Sequence, residues 1–548
     1  MIRKVSPRSR GRLLRESKGM ILPLSLIFLL VLTLMGIAAI MTLTTTHTMF
    51  SGIKRGDQAL YLAEAGVEAA RRIIAQTNPN IQQVLLNNGL LPGLESAVSA
   101  NLGGMTGSYV VRLVANEDPK FHGYIIHCTA TVGDTQKSLE VLVEPFSRFF
   151  YFTQLEDAPG SQPTDPWEIR HVFFRDGDVL DGPVHTNGND TEQIGFHIYG
   201  NPRFRDLASS KYPPSFLDAS SSGTFDRPAN WNREVRLPVG PNKIFGDEDD
   251  LDDVVSGATS KGRVIDTYDE DTLRSVPHRI HFNGSSGVRV FRLNQTLVSD
   301  PDGIPDSWDE TYTETATEVA GSPFTISATF NGVLFFHGGG AIYMGGRILE
   351  NGTLEDLATS VSNSSVVGRW TICSGLITTD KNPEGRNLAW AGPILIDGDI
   401  RYDGTYGGPY GQIFPILLDG DGKEYVAAGD NLLGLVTSNN ITIYDRVRTR
   451  ANGITIHGSL MATNQTQYGS IMAANSLVTG NNPIAGDRNI NLMGGIIQYH
   501  RGVMGRFEPG RGMVSGFLKN YKYDTRLFFM APPSFPVAVN LKTRSWKD

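Results

Sequence analysis

Cysteine is scarce in this chain of 548 residues, since Cys128 and Cys373 are its only two, 245 positions apart. We expect so distant a pair to lie in different domains as two buried free thiols, because unpaired cysteine behaves as a small apolar residue. A single disulfide between them is the alternative, and it requires an exported protein.

Motifs for catalysis are also missing. Residues 336–340 (Phe-His-Gly-Gly-Gly) are similar to the oxyanion-hole segment of lipases, but no Gly-x-Ser-x-Gly occurs to supply the nucleophile. A glycine turn that closes a strand is therefore predicted there. Residues 185–189 (His-Thr-Asn-Gly-Asn) follow Asp176, Asp178 and Asp181 without a second histidine at ligand spacing. Asn and Asp turns explain this segment better than a metal or acid–base site.

Positive charge is concentrated at the N-terminus. The first 19 residues hold one acid, Glu16, and seven basic residues: Arg3, Lys4, Arg8, Arg10, Arg12, Arg15 and Lys18. The formal net charge of the chain is −8, and subtracting the leader's +6 leaves −14 on the remainder. This acidic remainder argues against nucleic acid as a partner, which would require a basic surface.

Charge is absent from residues 20–43, a run of 24 mostly apolar positions directly after the leader. Such a run is long enough to cross the roughly 30 Å hydrocarbon core of a bilayer as a helix. By the positive-inside rule the leader stays in the cytoplasm and everything after the span is exported. A cleaved secretory signal is the alternative, but its apolar core is shorter and ends at small residues, which this run does not.

The helical pattern continues beyond the span. Leu60, Ala63, Val67, Ala70 and Ile74 recur at three- and four-residue steps, which predicts one apolar stripe. Asn-Pro at 78–79 ends the pattern. Residues 20–77 are thus predicted to form one helix of roughly 87 Å, at 1.5 Å per residue.

These segments carry a resemblance. A basic leader ending in Lys18-Gly19, an uncharged span and then LYLAEAGVEAARR at 60–72 resemble the N-terminal segment of PilX-type minor pilins of type IV pili. The resemblance implies a prepilin peptidase cut after Gly19, with Met20 as the new N-terminus. It also implies a place in the bacterial inner membrane, with other pilins or pilus assembly proteins as partners. Leu24 stands where major pilins carry a glutamate that pairs with the amino terminus of a neighbouring subunit, and a subunit without it would suit a tip position, with no subunit above it to pair.

The remaining chain is predicted to be β-rich, giving an α+β fold. Period-two runs at 108–145, with Gly133-Asp134 as a hairpin turn, predict a small antiparallel sheet over 78–146 under the helix. Residues 147–322 look like an irregular β-rich insert. Residues 323–548 hold short β-branched runs punctuated by Gly and Asn, such as 394–396 and 441–443. We favour a right-handed β-helix-like solenoid there, with a β-sandwich as the alternative.

One cation site is predicted. Asp300, Asp302 and Asp306 surround a glycine turn in the order that Ca²⁺ ligands take, although Pro301 interrupts them and no second copy follows. Asp419, Asp421 and Glu424 form a weaker candidate. A solvated acidic turn is the alternative in both places, and no other cofactor is expected.

Several segments, among them 185–189 and 520–536, also resemble the C-terminal region that accompanies PilX-like N-termini in bacterial proteins of unknown function. The sequence therefore predicts a non-enzymatic, membrane-anchored minor pilin-like subunit. A membrane-anchored adhesin or carbohydrate-binding β-helix protein is the alternative, followed by a β-helix enzyme.

Overall fold

The structure is a computed structural model. It describes residues 21–77, 81–102, 105–116, 123–156, 172–235, 237, 251–269, 274–299, 311–345, 363–375, 391–403, 417–418, 424–425, 431–443, 454–463, 469–474, 489–508, 512–528 and 530–540.

The first helix, α1, is Ile21–Thr77, an uninterrupted element of 57 residues, which confirms the predicted long helix. Two short helices follow, α2 at Ile81–Leu86 and α3 at Asp252–Ser260. The buried stripe of α1 differs slightly from the predicted one, because Leu60 and Ile74 are only half-buried. Its fully buried apolar side chains are those of Ala59, Leu62, Ala63, Val67 and Ala70.

The strands are short and numerous. In chain order, the first fourteen are β1 Val98–Leu102, β2 Met105–Ala115, β3 Tyr124–Val132, β4 Thr135–Pro145, β5 Tyr151–Leu155, β6 Phe174–Arg175, β7 Val179–Leu180, β8 Val184–Thr186, β9 His197–Tyr199, β10 Arg203–Phe204, β11 Ala208–Ser210, β12 Ser215–Phe216, β13 Thr224–Phe225 and β14 Asn230–Trp231. The next twelve are β15 Arg263–Asp266, β16 Tyr268–Asp269, β17 Arg274–Ser275, β18 His278–Phe282, β19 Val288–Ser299, β20 Thr311–Glu318, β21 Val333–His337, β22 Ile342–Met344, β23 Asn363–Val366, β24 Arg369–Gly375, β25 Ile394–Ile396 and β26 Asp399–Tyr402. The last eleven are β27 Leu417–Leu418, β28 Glu424–Tyr425, β29 Leu432–Thr437, β30 Ile441–Ile443, β31 Ile454–Ala462, β32 Ile471–Ala473, β33 Asn489–His500, β34 Gly505–Glu508, β35 Gly512–Gly516, β36 Leu518–Lys522 and β37 Val537–Asn540.

The small sheet is antiparallel, with strand order β1-β2-β3-β4-β37. Its three central strands confirm the three predicted runs, and Gly133 adopts a φ of +61° in the hairpin turn between β3 and β4. The fifth strand comes from the far end of the chain, where Val537 pairs with Pro145 and Asn540 with Leu142. Everything between β4 and β37 is therefore inserted between two neighbouring strands of one sheet.

The packed half of α1 lies on one face of this sheet. Its small side chains bring the two backbones close together, and the sheet supplies Val111, Ile126, Cys128, Ala130 and Val141 to the shared core. The tightest point is Gly66, where an added Cβ would lie 2.5 Å from Cys128 Sγ and 2.7 Å from the ring of Tyr109. Helix and sheet meet so closely because no side chain projects between them there.

A large, mostly parallel sheet forms the centre of the remaining chain, in the order β14-β11-β8-β5-β33-β31-β29-β24-β21-β15. The register produces a continuous column on each face. The inner column contains Leu334, Ile372, Leu435, Leu460, Ile496, Tyr151, Val184 and Ala208. The outer column contains Phe335, Cys373, Val436, Met461, Ile497, Phe152, His185 and Ser209.

Both faces of this sheet are buried. Leu251, Val254 and Ala258, at and within α3, cover part of the outer column, and Phe535 packs in the same cluster. A sheet covered on both sides needs apolar residues at successive positions, which explains runs such as Val-Leu-Phe-Phe at 333–336.

A second sheet, β20-β19-β18-β22-β25-β30-β32, faces the inner column across a shared core. Its last five strands are parallel, and Ile342, Ile394, Ile441 and Ile471 form one buried ladder across them. From β21 to β32 the chain alternates repeatedly between the two sheets, as the solenoid interpretation predicts. The connections between several of these strands lie outside the described residues, so the complete coil stays a prediction, as do the predicted domain bounds.

Residues 172–235, where the sequence shows no regular pattern, form the nine short strands β6 to β14. They stack in parallel in three groups, β6-β9-β12, β7-β10-β13 and β8-β11-β14. Phe174, Phe196, Phe204 and Phe225 pack between these groups at ring-centroid distances of 4.8 to 5.7 Å. The aromatic residues supply the core that periodicity did not reveal.

The two cysteines are separate buried thiols. Cys128 lies under α1 in the small sheet and Cys373 in the outer column of the large sheet, as expected for different domains. Burial raises the pKa of the Cys128 thiol to about 12 and that of Cys373 well above its usual value.

The close approach at Gly66 gives a direct test. Gly66→Ala should lower the free energy of unfolding by about 1–3 kcal/mol, because the added methyl overpacks the contact with Cys128 and Tyr109. Gly52→Ala is the matched control, since nothing lies within 4 Å of its added Cβ, and there the better helix former should stabilise by about 0.5–1 kcal/mol. Urea unfolding of the full chain in detergent measures both, and equal effects would contradict the close packing.

Candidate functional site

The half of α1 at residues 21–50, here called the uncovered half, touches no other part of the described chain closely enough to be buried. Every residue from 22 to 50 is exposed, including Phe28 at 66% and Phe50 at 68%. By length and composition this helix is able to cross a membrane. So large an apolar surface on a folded chain marks a membrane or protein contact.

The hydroxyl side chains of the uncovered half are satisfied within the helix. Thr33, Thr42, Thr44, Thr45, Thr46 and Thr48 each donate their hydroxyl to the backbone carbonyl four residues earlier, at 2.7 to 2.9 Å. Ser25, and Ser51 directly after the uncovered half, do the same to the carbonyl three residues earlier. The threonine methyl groups then form the outer surface, so this part of the helix is drier than its composition suggests.

The uncovered half ends at the point in the chain where charged residues reappear and where contact with the small sheet begins. Lys54 is the first charged side chain after the leader, and Arg55 forms an ion pair with Asp134 in the β3–β4 turn. From Ser51 onwards the helix is at least partly covered on one side. The boundary between the uncovered half of α1 and its packed half is therefore only a few residues wide.

A second constellation joins the small sheet to the large one, and we call it the joint. It consists of Glu144 at the end of β4, Arg233 just after β14, and His185 and Ser209 in the outer column. Arg233 Nη2 donates to both carboxylate oxygens of Glu144, at 2.5 and 2.7 Å, and both side chains are buried. Arg233 Nη1 also reaches Ser209 Oγ at 3.5 Å.

His185 is the centre of the joint. Its Nε2 lies 2.9 Å from Asn187 Oδ1 and its Nδ1 lies 2.8 Å from Ser209 Oγ. Because Asn187 Oδ1 only accepts, these bonds assign the ring proton to Nε2. Phe152 stacks on the imidazole at 5.4 Å. Burial, with Arg233 nearby, lowers the pKa of His185 to about 3, so the ring is neutral.

Asn187 completes the joint. Its Oδ1 accepts from Val235 N–H at 3.1 Å, and its Nδ2 donates to Val235 O at 2.6 Å and to Gln154 Oε1 at 2.7 Å. The segment 185–189 thus holds the backbone at Val235 through the side chain of Asn187. Gly188 adopts a φ of +74° in the turn of this segment. This agrees with the predicted turn chemistry, although the burial of His185 was not foreseen.

The carboxylates that precede this segment do not converge on it. Asp178 accepts from Arg175 N–H at 2.9 Å, Asp181 pairs with Arg205 at 3.3 Å, and Asp176 accepts from Asn201 N–H at 2.5 Å. Within the described ranges no three His, Cys, Asp or Glu side chains come together as a metal site would require.

Residues 336–340 form the predicted glycine turn. Gly338 and Gly339 have φ values of +109° and +83° at the end of β21. Gly340 N–H donates to Thr267 Oγ1 at 2.9 Å, so one of the amides that would form an oxyanion hole is already occupied.

The remaining predicted site residues lie outside the described residues. They are the processing positions Gly19 and Met20, the predicted calcium ligands Asp300, Asp302 and Asp306, and the weaker candidates Asp419 and Asp421. For these the sequence-based predictions stand untested.

Sequence reasoning missed the buried ion pairs. Besides the joint, Arg279 donates to Asp397 at 2.6 and 2.9 Å, with both side chains fully buried, and Arg501 donates to Glu156 at 2.6 Å. The partners are 118 and 345 residues apart, so no local pattern marks them.

No protein-family model matches the chain, and no curated protein matches its sequence. Among solved structures, the chain is similar to the competence-associated pilin ComZ from Thermus thermophilus, at 12% identity and a TM-score of 0.30. The match covers 90% of this chain and 97% of that one. At this TM-score the likeness carries no argument about fold or function.

The buried ion pair of the joint predicts that two carboxylates contribute very different amounts to the free energy of unfolding. Glu144→Gln should cost about 3–5 kcal/mol of unfolding free energy, because it leaves the buried Arg233 charge unpaired. Asp226→Asn, the same change in the half-exposed pair with Arg203, should cost at most about 1 kcal/mol. Urea titration of the full chain compares the two, and similar losses would mean that the joint is not a desolvated pair.

His185 predicts a pH dependence. The unfolded imidazole takes up a proton below its ordinary pKa of about 6.5, whereas the folded one, with its pKa of about 3, does not. Acidification therefore favours unfolding, and between pH 7 and pH 5 this group should remove about 2 kcal/mol of stability. His185→Gln should lose that part of the pH dependence. An identical pH slope in both proteins would show that His185 is not buried in its neutral form.

Proposed function

We propose that this chain is a non-enzymatic, membrane-anchored minor pilin-like subunit of a type IV pilus or a related secretion filament. The observation that carries the proposal is α1, a single helix whose first half is apolar, uncharged and uncovered and whose second half packs on an antiparallel sheet. The PilX-like order of leader, span and Ala-Glu-Ala segment supports it.

The uncovered half is suited to two surroundings. In lipid, every backbone and hydroxyl group of a spanning helix must be satisfied internally, and the threonine bonds achieve this. A bundle of apolar helices imposes the same requirement. Moving the helix from lipid into such a bundle changes its hydration little, because both surroundings are apolar. Close packing therefore has to supply the driving force for assembly.

The large β region would form the exported head, built as a parallel β-solenoid on the far side of the joint. The leader would remain in the cytoplasm and the anchor in the inner membrane, with prepilin peptidase cutting after Gly19. For the adhesin alternative a row of exposed aromatic residues would be expected. Among those side chains of the β region whose burial the structure describes, Tyr199 and Phe216 are the exposed large aromatic ones, at 41% and 42%, so no specific observation favours that alternative.

The function is tested by placing a charge in the anchor. Leu34→Arg should lower membrane retention and recovery with sheared filaments, since a central charge adds about 2.5–3.5 kcal/mol to insertion. Tyr61→Arg is the matched control, because Tyr61 is exposed at 61% on the packed half of α1. Recovery of Leu34→Arg in alkali-washed membranes and filaments equal to that of Tyr61→Arg would argue against the anchor.

Mass spectrometry of the N-terminus in the same cells separates a pilin from a plain anchor. A chain beginning at Met20 supports prepilin processing. An intact leader, together with absence from filaments, would overturn the filament role and leave only the membrane anchor.

A further inference from the structure

The part of α1 that carries no formal charge, here called the dry segment, is longer than the predicted membrane span. From position 21 to position 53 the helix has 33 residues without a formal charge, and His47 is the one titratable side chain among them. At 1.5 Å per residue this is about 50 Å, well beyond the roughly 30 Å of a hydrocarbon core. A span of 20–43 would leave the residues after it outside the core.

Those residues do not look like a water-exposed linker. Met49, Phe50 and Ile53 are exposed at 64%, 68% and 59%. The hydroxyls of Thr44, Thr45, Thr46 and Thr48 are turned back onto the helix backbone, so the segment presents methyl groups and apolar side chains, with the imidazole of His47 as its one exposed polar group. The small sheet covers none of it before Ser51.

We propose that the bilayer itself covers this segment, so that the membrane-embedded part of α1 extends from residue 21 to residue 53. The inference rests on the proposed membrane anchor and specifies its depth. Lys54 then lies among the headgroup phosphates. The β3–β4 turn, tied to the helix through Arg55 and Asp134, rests against the membrane surface.

The geometry of a bilayer accommodates this length. Including the headgroup regions a bilayer is about 40–45 Å thick, and a helix of about 50 Å fits within it at a tilt of about 30°. That tilt lies within the range of about 0–40° seen for membrane helices. Confining all 33 residues to the hydrocarbon core would require a tilt above 50°, so the ends of the segment belong at the headgroups.

Charge supports the bilayer rather than a second copy as the covering partner. The first charges after the dry segment are Lys54 and Arg55, which complement anionic phosphates. In a parallel pair of identical chains anchored at the same depth, Lys54 would face its own copy at the same height.

Single cysteines in the otherwise unchanged full chain test the depth. Thr46→Cys is the test position, Gly36→Cys lies inside the membrane in either view, and Tyr61→Cys lies outside it. The natural cysteines are buried, and the unsubstituted protein measures their background. The protein is reconstituted in vesicles of phosphatidylethanolamine and phosphatidylglycerol, with or without bromine on the acyl chains.

Under the proposal, Thr46→Cys resists aqueous maleimide as Gly36→Cys does, and a fluorophore attached there before reconstitution is quenched by acyl-chain bromine. Labelling as fast as that of Tyr61→Cys would overturn the longer span. Protection without bromine quenching would also overturn it, because a protein and not lipid would then cover the segment. Loss of all three proteins from the vesicles on alkaline washing would instead contradict the membrane anchor itself.

Discussion

The contact between α1 and the small sheet is the constraint on which the rest of the structure depends. One stripe of the helix carries only small residues at its closest contacts: Ala59, Ala63, Gly66 and Ala70. The strands therefore approach the helix backbone closely and bury this stripe. This packing fixes where covered helix ends and bare helix begins. Because β37 completes the same sheet, the far end of the chain also stabilises the base on which the helix lies.

The joint explains how the large β region is attached to the small sheet. The outer column of the large sheet is apolar from Phe335 to Phe152 and turns polar at His185, where Arg233 reaches across to Glu144 of the small sheet. A buried ion pair of this kind is strongly directional, since both carboxylate oxygens of Glu144 accept from Arg233 in one geometry. The Phe146–Arg148 turn and Phe149 fill the space beside it, so the connection is packed and not hinged.

How much the sequence predicts depends on whether the information is local. The long helix, the three central strands of the small sheet and the turn at Gly133 follow from spacing along the chain, and all of them are confirmed. The strand β37 was not predicted, because nothing in residues 537–540 indicates pairing with β4, almost 400 positions earlier in the chain. Residues 172–235 were predicted only as part of an irregular β-rich insert, and the parallel stacking of their strands was not predicted, because strands of two or three residues are too short to show a period.

The same distinction applies to the sites. Residues 185–189 were recognised as turn chemistry from their Asn and Gly, but the burial of His185 depends on Phe152 and Arg233, which are brought to it only by the stacking of strands. Charged pairs such as Arg279 and Asp397 leave no trace in the sequence, since each residue alone looks like an ordinary surface charge.

The threonine segment shows why composition alone misjudges the length of the dry helix. Five threonines within residues 42–48 lower the apparent hydrophobicity and make the span seem to end at Leu43. Once each hydroxyl is bonded to the preceding turn, the cost of placing it in an apolar medium largely disappears, because no hydroxyl donor is left unsatisfied. The position of the first unavoidable charge, Lys54, is then the better marker of where the helix must meet water. That position coincides with the lower edge of the small sheet, so the helix passes from its apolar surroundings to its protein partner with almost no free segment between them.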